Sequence, residues 1–153
     1  MSGKFGPKSA EMVLFTEREG VLLVLLVERS SGPLQGKPGF PGGSVNPGED
    51  AEVAARRVCR VETGLAAPSE MSSTGVYDDE YRDPGGDHVT VAFNGIVPDA
   101  PDPVAAGDAQ NAAWRPVSEI LDGDQVAPVY RRIVLSAVSH QLGNIAAQLN
   151  ARC

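Results

Sequence analysis

The residues of this chain best suited to chemistry lie between Gly43 and Leu65, a stretch reading GSVNPGEDAEVAARRVCRVETGL. Pro47, Gly48, Glu49 and Asp50 announce a helix, with acids in the first turn where the positive end of the helix dipole favours them. Gly64 suits a C-cap, so the pattern predicts a helix over residues 50–63. Carboxylates on such a helix could gather a divalent cation. Mg2+ takes hard oxygen ligands in near-octahedral array, and residues at i, i+3 and i+4 share one helix face. Glu62 is such a carboxylate. Val58 and Val61, which share its face, have no lone pair and can neither ligate a metal nor accept a proton. Ala54, Val58, Val61 and Leu65 form an apolar stripe at i, i+4, i+7 and i+11. That stripe either packs against another part of the structure or floors an open groove poor in metal ligands.

Other candidates are scattered. The Asp78-Asp79-Glu80 run reads as a solvated loop. His88 opens a strand after a Gly-Gly turn and could touch a ligand phosphate, although a hydrogen-bonded structural histidine is the commoner case and no second histidine gives it metal spacing. His140 falls on the last helix as a surface or interface residue. Trp114 could stack on a base, yet a lone tryptophan more often belongs to a core. Cys59 falls mid-helix and Cys153 ends the chain. Neither has the spacing of a metal ligand, so a buried thiol and a loose terminal one are expected.

The elements that must position these residues follow from periodicity and turn signals. Met12–Thr16 and Val21–Glu28 read as strands joined by a hairpin turn. Residues 30–42 are a Gly/Pro loop. Strands are expected at Gly75–Tyr77, Val89–Val97 and Ala112–Arg115, and a short helix at Pro116–Leu121. From Val129 to Leu149 the apolar positions Tyr130, Ile133, Val134, Ala137, Val138, Leu142, Ile145 and Leu149 follow helical spacing. The mixture of hairpins and helices reads as α+β, a mixed sheet between helices, and not an alternating parallel fold.

The chain of 153 residues suits one domain spanning 1–153, with residues 1–10 as a loose lead-in. The formal net charge of -7 argues against nucleic acid as partner, since phosphate backbones need a basic stripe. No run of apolar residues is long enough to span a membrane, and the first residues lack the apolar core of a signal peptide, so the cytosol is the default compartment.

The stretch from Gly43 to Leu65 resembles the Nudix box, whose pattern is Gly, five residues, Glu, seven residues, then Arg-Glu-U-x-Glu-Glu-x-Gly-U, with U aliphatic. Gly43, Glu49, Arg57, Glu62, Gly64 and Leu65 stand in register, and Cys59 takes the first aliphatic place. The approach Phe40-Pro41-Gly42-Gly43 is also like the family's. The segments Tyr81 to His88 and Ala106-Gly107-Asp108 through Trp114 to the Pro116–Ile120 helix resemble the ADP-ribose pyrophosphatases. The likeness covers roughly residues 12 to 135.

The resemblance implies a Nudix fold, an α/β/α sandwich. It also implies a hydrolase that uses Mg2+ or Mn2+ to cleave a nucleoside diphosphate derivative such as ADP-ribose or a nucleotide sugar. Carried onto this sequence, Glu62, Arg57 and Glu49 become the catalytic set, with Glu49 pairing to Arg57 to orient the loop. Glu62 and Asp108 become metal ligands, and Gly42, Gly43, Phe40 and His88 face the substrate. Val58 and Val61 stand where the family has its other two glutamates. A weak hydrolase therefore competes with a non-catalytic domain that binds a nucleotide or a protein. The last helix and the apolar stripe could also supply a homodimer interface.

Overall fold

Arg18 and Val21 face each other across a hairpin whose two central residues, Glu19 and Gly20, have φ of 54° and 82°. Two successive positive φ angles give the turn that matches strand twist. The turn joins β1 (Ser9–Arg18) to β2 (Val21–Arg29). The computed structural model describes residues 8–32, 35–78, 89–123 and 128–151.

The further elements are β3 (Pro38–Gly39), β4 (Gly42–Ser44), α1 (Ala51–Thr63), β5 (Ser72–Asp78), β6 (Val89–Ile96), β7 (Ala109–Pro116), α2 (Val117–Asp122) and α3 (Pro128–Ala151). The strands form one seven-stranded sheet in the order β3-β2-β1-β6-β5, with β4 also on β1 and β7 also on β2. β1 and β6 run parallel, while the other pairs are antiparallel. Ser9 and Ala10, expected in a loose lead-in, are the buried start of β1. The parallel partner accounts for this: Ser9 pairs with Thr90, and their hydroxyls lie 2.6 Å apart.

β1 alternates between two cores, as a strand covered on both faces must. Ala10, Met12 and Leu14 pack with Leu25 against Ala54, Ala55, Cys59 and Leu65 of the α1 side. Val13 and Phe15 pack with Val24 and Leu26 against α2 and α3, through residues such as Ile120, Ile133 and Val134. The result is the helix–sheet–helix sandwich expected. Cys59 is buried as expected, and burial pushes its thiol up to about 11, so it stays protonated and inert at neutral pH.

Local signals explain α1 well. Asp50 caps it by accepting from the Glu52 N–H at 3.1 Å, and Gly64 ends it at φ 73° while donating to the Arg60 carbonyl. Among the described residues, the long helix α3 departs from its expected face at Leu142. Leu142, assigned to the apolar stripe, is 59% exposed, and Gln141 is buried instead. The buried row runs Val134, Ala137, Gln141, Ile145, so Leu142 falls one step of rotation outside it. Among the described residues, no helix is long and apolar enough to cross a membrane.

Candidate functional site

Arg29 ends β2 on the same face as Leu25 and Val27, which turns its side chain toward α1. A bulge between Glu28 and Arg29 breaks the register there. Its guanidinium donates to the carbonyls of Gly42 at 2.9 Å and Phe40 at 3.2 Å. It also lies 3.5 Å from Glu62 Oε2. The other carboxylate oxygen of Glu62 accepts from the Gly42 N–H at 3.0 Å. Glu62 is 2% exposed. One charged pair therefore holds the Phe40–Gly42 segment between the end of β2 and the last turn of α1.

Gly42 is required here by contact and not by φ. An added Cβ would come 2.6 Å from the Ala10 carbonyl oxygen and 2.8 Å from Glu11 Cγ. At Gly43 an added Cβ would meet Val58 Cγ1 at 3.3 Å, so Val58 already covers that glycine. The apolar stripe thus divides. Ala54 and Leu65 belong to the core, Val58 is half-buried against the loop, and Val61 is 53% exposed. Loop 104–108 runs beside Val61, held by Val104 N–H on the Thr63 carbonyl and Ala106 N–H on the Glu62 carbonyl.

Glu49 and Arg57 meet as the resemblance implied. Arg57 donates from Nε and Nη2 to the two Glu49 oxygens, both at 2.9 Å, and from Nη2 to the Ser44 carbonyl at 3.1 Å. Asn46 N–H donates to the same carboxylate at 3.0 Å. The Arg57 guanidinium, followed by the Asn46 bond, lowers the Glu49 carboxyl from 4.5 to about 2, and Glu49 in turn raises Arg57. Both side chains serve the loop geometry.

Other expected site residues lie elsewhere. The ring of Phe40 is fully buried and meets Tyr130 edge-on at 5.1 Å, so it is core and does not face a substrate. β3 and Arg29 turn its side chain inward, toward α3. Asp108 is exposed and accepts from the Ser30 and Ser31 hydroxyls, both at 2.7 Å, which ties loop 104–108 to the end of β2. His88 and most of the acidic run after Asp78 lie outside the described residues. Trp114 packs with the α1-side core and donates from Nε1 to the Pro101 carbonyl at 2.8 Å. His140 is exposed, as expected. Arg29 escaped the sequence reading. Its signal was a charged residue ending a strand at the same parity as buried Leu25 and Val27.

These residues do not fit a Mg2+ or Mn2+ centre. The Glu62 carboxylate is buried and already engaged by Arg29 and the Gly42 N–H. Val58 and Val61 offer no oxygen. Among the described residues, no group of three or more His, Cys, Asp or Glu is placed to hold a metal ion. On the far side of the sheet, a cavity of about 400 Å3 opens between β2, β3, β7 and α2, lined by the apolar Leu26, Pro38 and Ile120 and by Arg115, Ser118, Glu119 and Asp122. Arg115 stands at it, bonded to Glu119 at 2.9 Å. An apolar pocket with a few polar groups at its edge is the usual form of a small-molecule site.

Comparison with known proteins agrees with this architecture. The NUDIX domain profile matches residues 7–135. Over 70 residues the chain is 40% identical to an ADP-ribose pyrophosphatase of Methanocaldococcus jannaschii, a match spanning 46% of this chain and 41% of that relative. The Nudix domain of Shewanella oneidensis NrtR, solved in complex with ADP ribose, superposes with a TM-score of 0.75 at 25% identity, covering 86% of each chain. A MutT/nudix family protein of Listeria innocua superposes with a TM-score of 0.68 at 30% identity, covering 93% of this chain and 98% of that one. The chain belongs to the Nudix family. Nudix hydrolases generally use divalent metals such as Mg2+.

Proposed function

We propose that this chain is a Nudix domain that binds a nucleoside diphosphate derivative of the ADP-ribose type without the carboxylate cluster for metal-dependent hydrolysis. The observation that carries the proposal is the state of Glu62. It is buried, bonded to Gly42 and paired with Arg29, while Val58 and Val61 fill the two other ligand places. The pocket beside Arg115 has the volume for a nucleoside, with apolar surface from Leu26, Pro38 and Ile120. The match to an ADP-ribose pyrophosphatase and the fold shared with a domain solved with ADP ribose support the choice of ligand.

A specific observation favours a second reading, that of a weak Mg2+- or Mn2+-dependent hydrolase. The bidentate Glu49–Arg57 pair that shapes the box loop is intact. Calorimetry with ADP-ribose in EDTA and in Mg2+, followed by product analysis, separates the two. The binding reading expects the same affinity in both conditions and intact ligand afterwards. Release of AMP and ribose phosphate only with the metal would establish the hydrolase instead. Absence of binding in both conditions would reject the nucleotide as ligand.

A further inference from the structure

A second cavity of about 450 Å3 lies where α3 crosses the far end of the sheet. One wall is the linker of residues 68–71 between α1 and β5. The other is α3 at Gln141, Asn144 and Ala147, with Ile96 of β6 between them. Its sheet wall lies away from the Gly42 end of the box. Gly42 meets β1 at Glu11, whereas Ile96 meets β1 at Phe15, toward its other end.

Each wall is fixed by its own contacts. The linker lies so close on Gly95 that an added Cβ would come 2.5 Å from Met71 Sδ and 2.8 Å from Pro68 Cγ. Arg56 of α1 donates to the carbonyls of Pro68 at 2.8 Å and Ser69 at 3.1 Å. The helix wall is held by a chain of amides. Asn144 Nδ2 donates to Gln141 Oε1 at 2.9 Å, Gln141 Nε2 to Asn94 Oδ1 at 2.7 Å, and Asn94 Nδ2 to Thr74 Oγ1 at 2.6 Å. Asn94 is 0% and Gln141 5% exposed. Burying two amides is tolerable only when they are bonded, and an apolar seam between helix and sheet would avoid that cost altogether. The outer members of the relay, Gln141 and Asn144, line the cavity.

The charge of the lining selects the occupant. Glu70 contributes a carboxylate, and among the described residues the lining holds no lysine or arginine. Arg56, behind the linker, is already paired with Glu52 and bonded to the Pro68 and Ser69 carbonyls. The net charge of -7 also concentrates cations around the chain. We propose that this cavity binds a small organic cation. Its ammonium group pairs with Glu70, its hydroxyl or carbonyl groups bond Gln141 and Asn144, and its carbon body rests on Met71 and Ile96. The volume suits a molecule of sugar size or a little larger.

Amide NMR of the whole chain tests this with glucosamine, glucose and glucuronate, three probes of similar shape that are cationic, neutral and anionic. Glucosamine is expected to shift the side-chain amides of Gln141 and Asn144 and the backbone of residues 70–72. It should bind about threefold to fivefold tighter than glucose, the size of a partly exposed ion pair, and glucuronate should shift nothing there. Glu70→Gln should remove the preference for glucosamine. Ala147→Trp, at an exposed helix position, should fill the cavity and abolish the shifts. Equal response to all three sugars, persistence in Ala147→Trp, or no response at all would overturn the proposal. ADP-ribose, an anion, should leave these signals unmoved whether or not it binds elsewhere, so this site and the nucleotide reading stand or fall separately.

Discussion

The guanidinium of Arg29 stands 3.5 Å from the carboxylate of Glu62, and both side chains are buried. Between them they take up the Gly42 N–H and the carbonyls of Gly42 and Phe40. A protein-borne cation thus neutralises the Glu62 carboxylate. The pair closes the box loop onto α1.

Removing one partner should therefore be far worse than removing both. Arg29→Met leaves Glu62 as a buried, uncompensated charge and should cost about 3–5 kcal/mol. Arg29→Met combined with Glu62→Leu should be more stable than Arg29→Met alone, because neither charge of the pair is then left buried without the other. Urea unfolding of the two variants and the parent measures this. Equal stability of the single and double variants would show that the pair is not coupled.

The Glu49–Arg57 pair should appear in the acid limb of stability. Glu49 is lowered from 4.5 to about 2 in the folded chain. A depressed carboxyl stabilises the fold above its unfolded value, and that contribution is lost as pH falls from about 4.5 toward about 2. A carboxyl NMR titration should place Glu49 near the lower value. In Glu49→Gln the dependence of stability on pH across this window should shrink, and in Arg57→Gln the Glu49 titration should return toward 4.5.

Gly42→Ala should destabilise through contact with the backbone. The new Cβ would sit 2.6 Å from the Ala10 carbonyl oxygen and 3.0 Å from Glu11 Cα, neither of which is a flexible side-chain end. Overpacking of this kind costs about 1–3 kcal/mol. Thermal unfolding should show a clear loss, whereas Gly143→Ala, in open space on α3, should be neutral or stabilising.

The two valines at the ligand places should respond differently to restored carboxylates. Val61 is 53% exposed, so Val61→Glu should change stability by no more than about 0.5 kcal/mol. Val58 is half-buried against Gly43, so Val58→Glu should cost more. Denaturant midpoints of the two single variants check the order. A larger loss from Val61→Glu would contradict it.

Much of this architecture was legible in the chain itself. The hairpin, α1 with its Gly64 cap, and the strands around Tyr77, Val91 and Trp114 follow from turn chemistry, capping and alternation, which act between residues close in sequence. The Glu49–Arg57 pair was also legible, through the resemblance of the box, and its members lie close in sequence. The expectations that failed depend on contacts across the fold. Leu142 fits the helical period as well as its neighbours do, and only the direction of the sheet beneath α3 excludes it. Phe40 lies in a polar Gly/Pro loop, yet it is core because β3 turns it toward Tyr130.

The sequence by itself determined the family frame and the chemical deficit. Gly43, Glu49, Arg57, Gly64 and Leu65 stand in register, and Val58 and Val61 lack oxygen in any conformation. Only the tertiary structure decided the state of Glu62. Its carboxylate could have faced solvent, but Arg29 approaches from a strand distant in sequence. A charge with a partner and a backbone donor at hand is more stable bonded to them in a buried pocket than left there alone. That choice is made by packing across the sheet, and local periodicity carries no information about it.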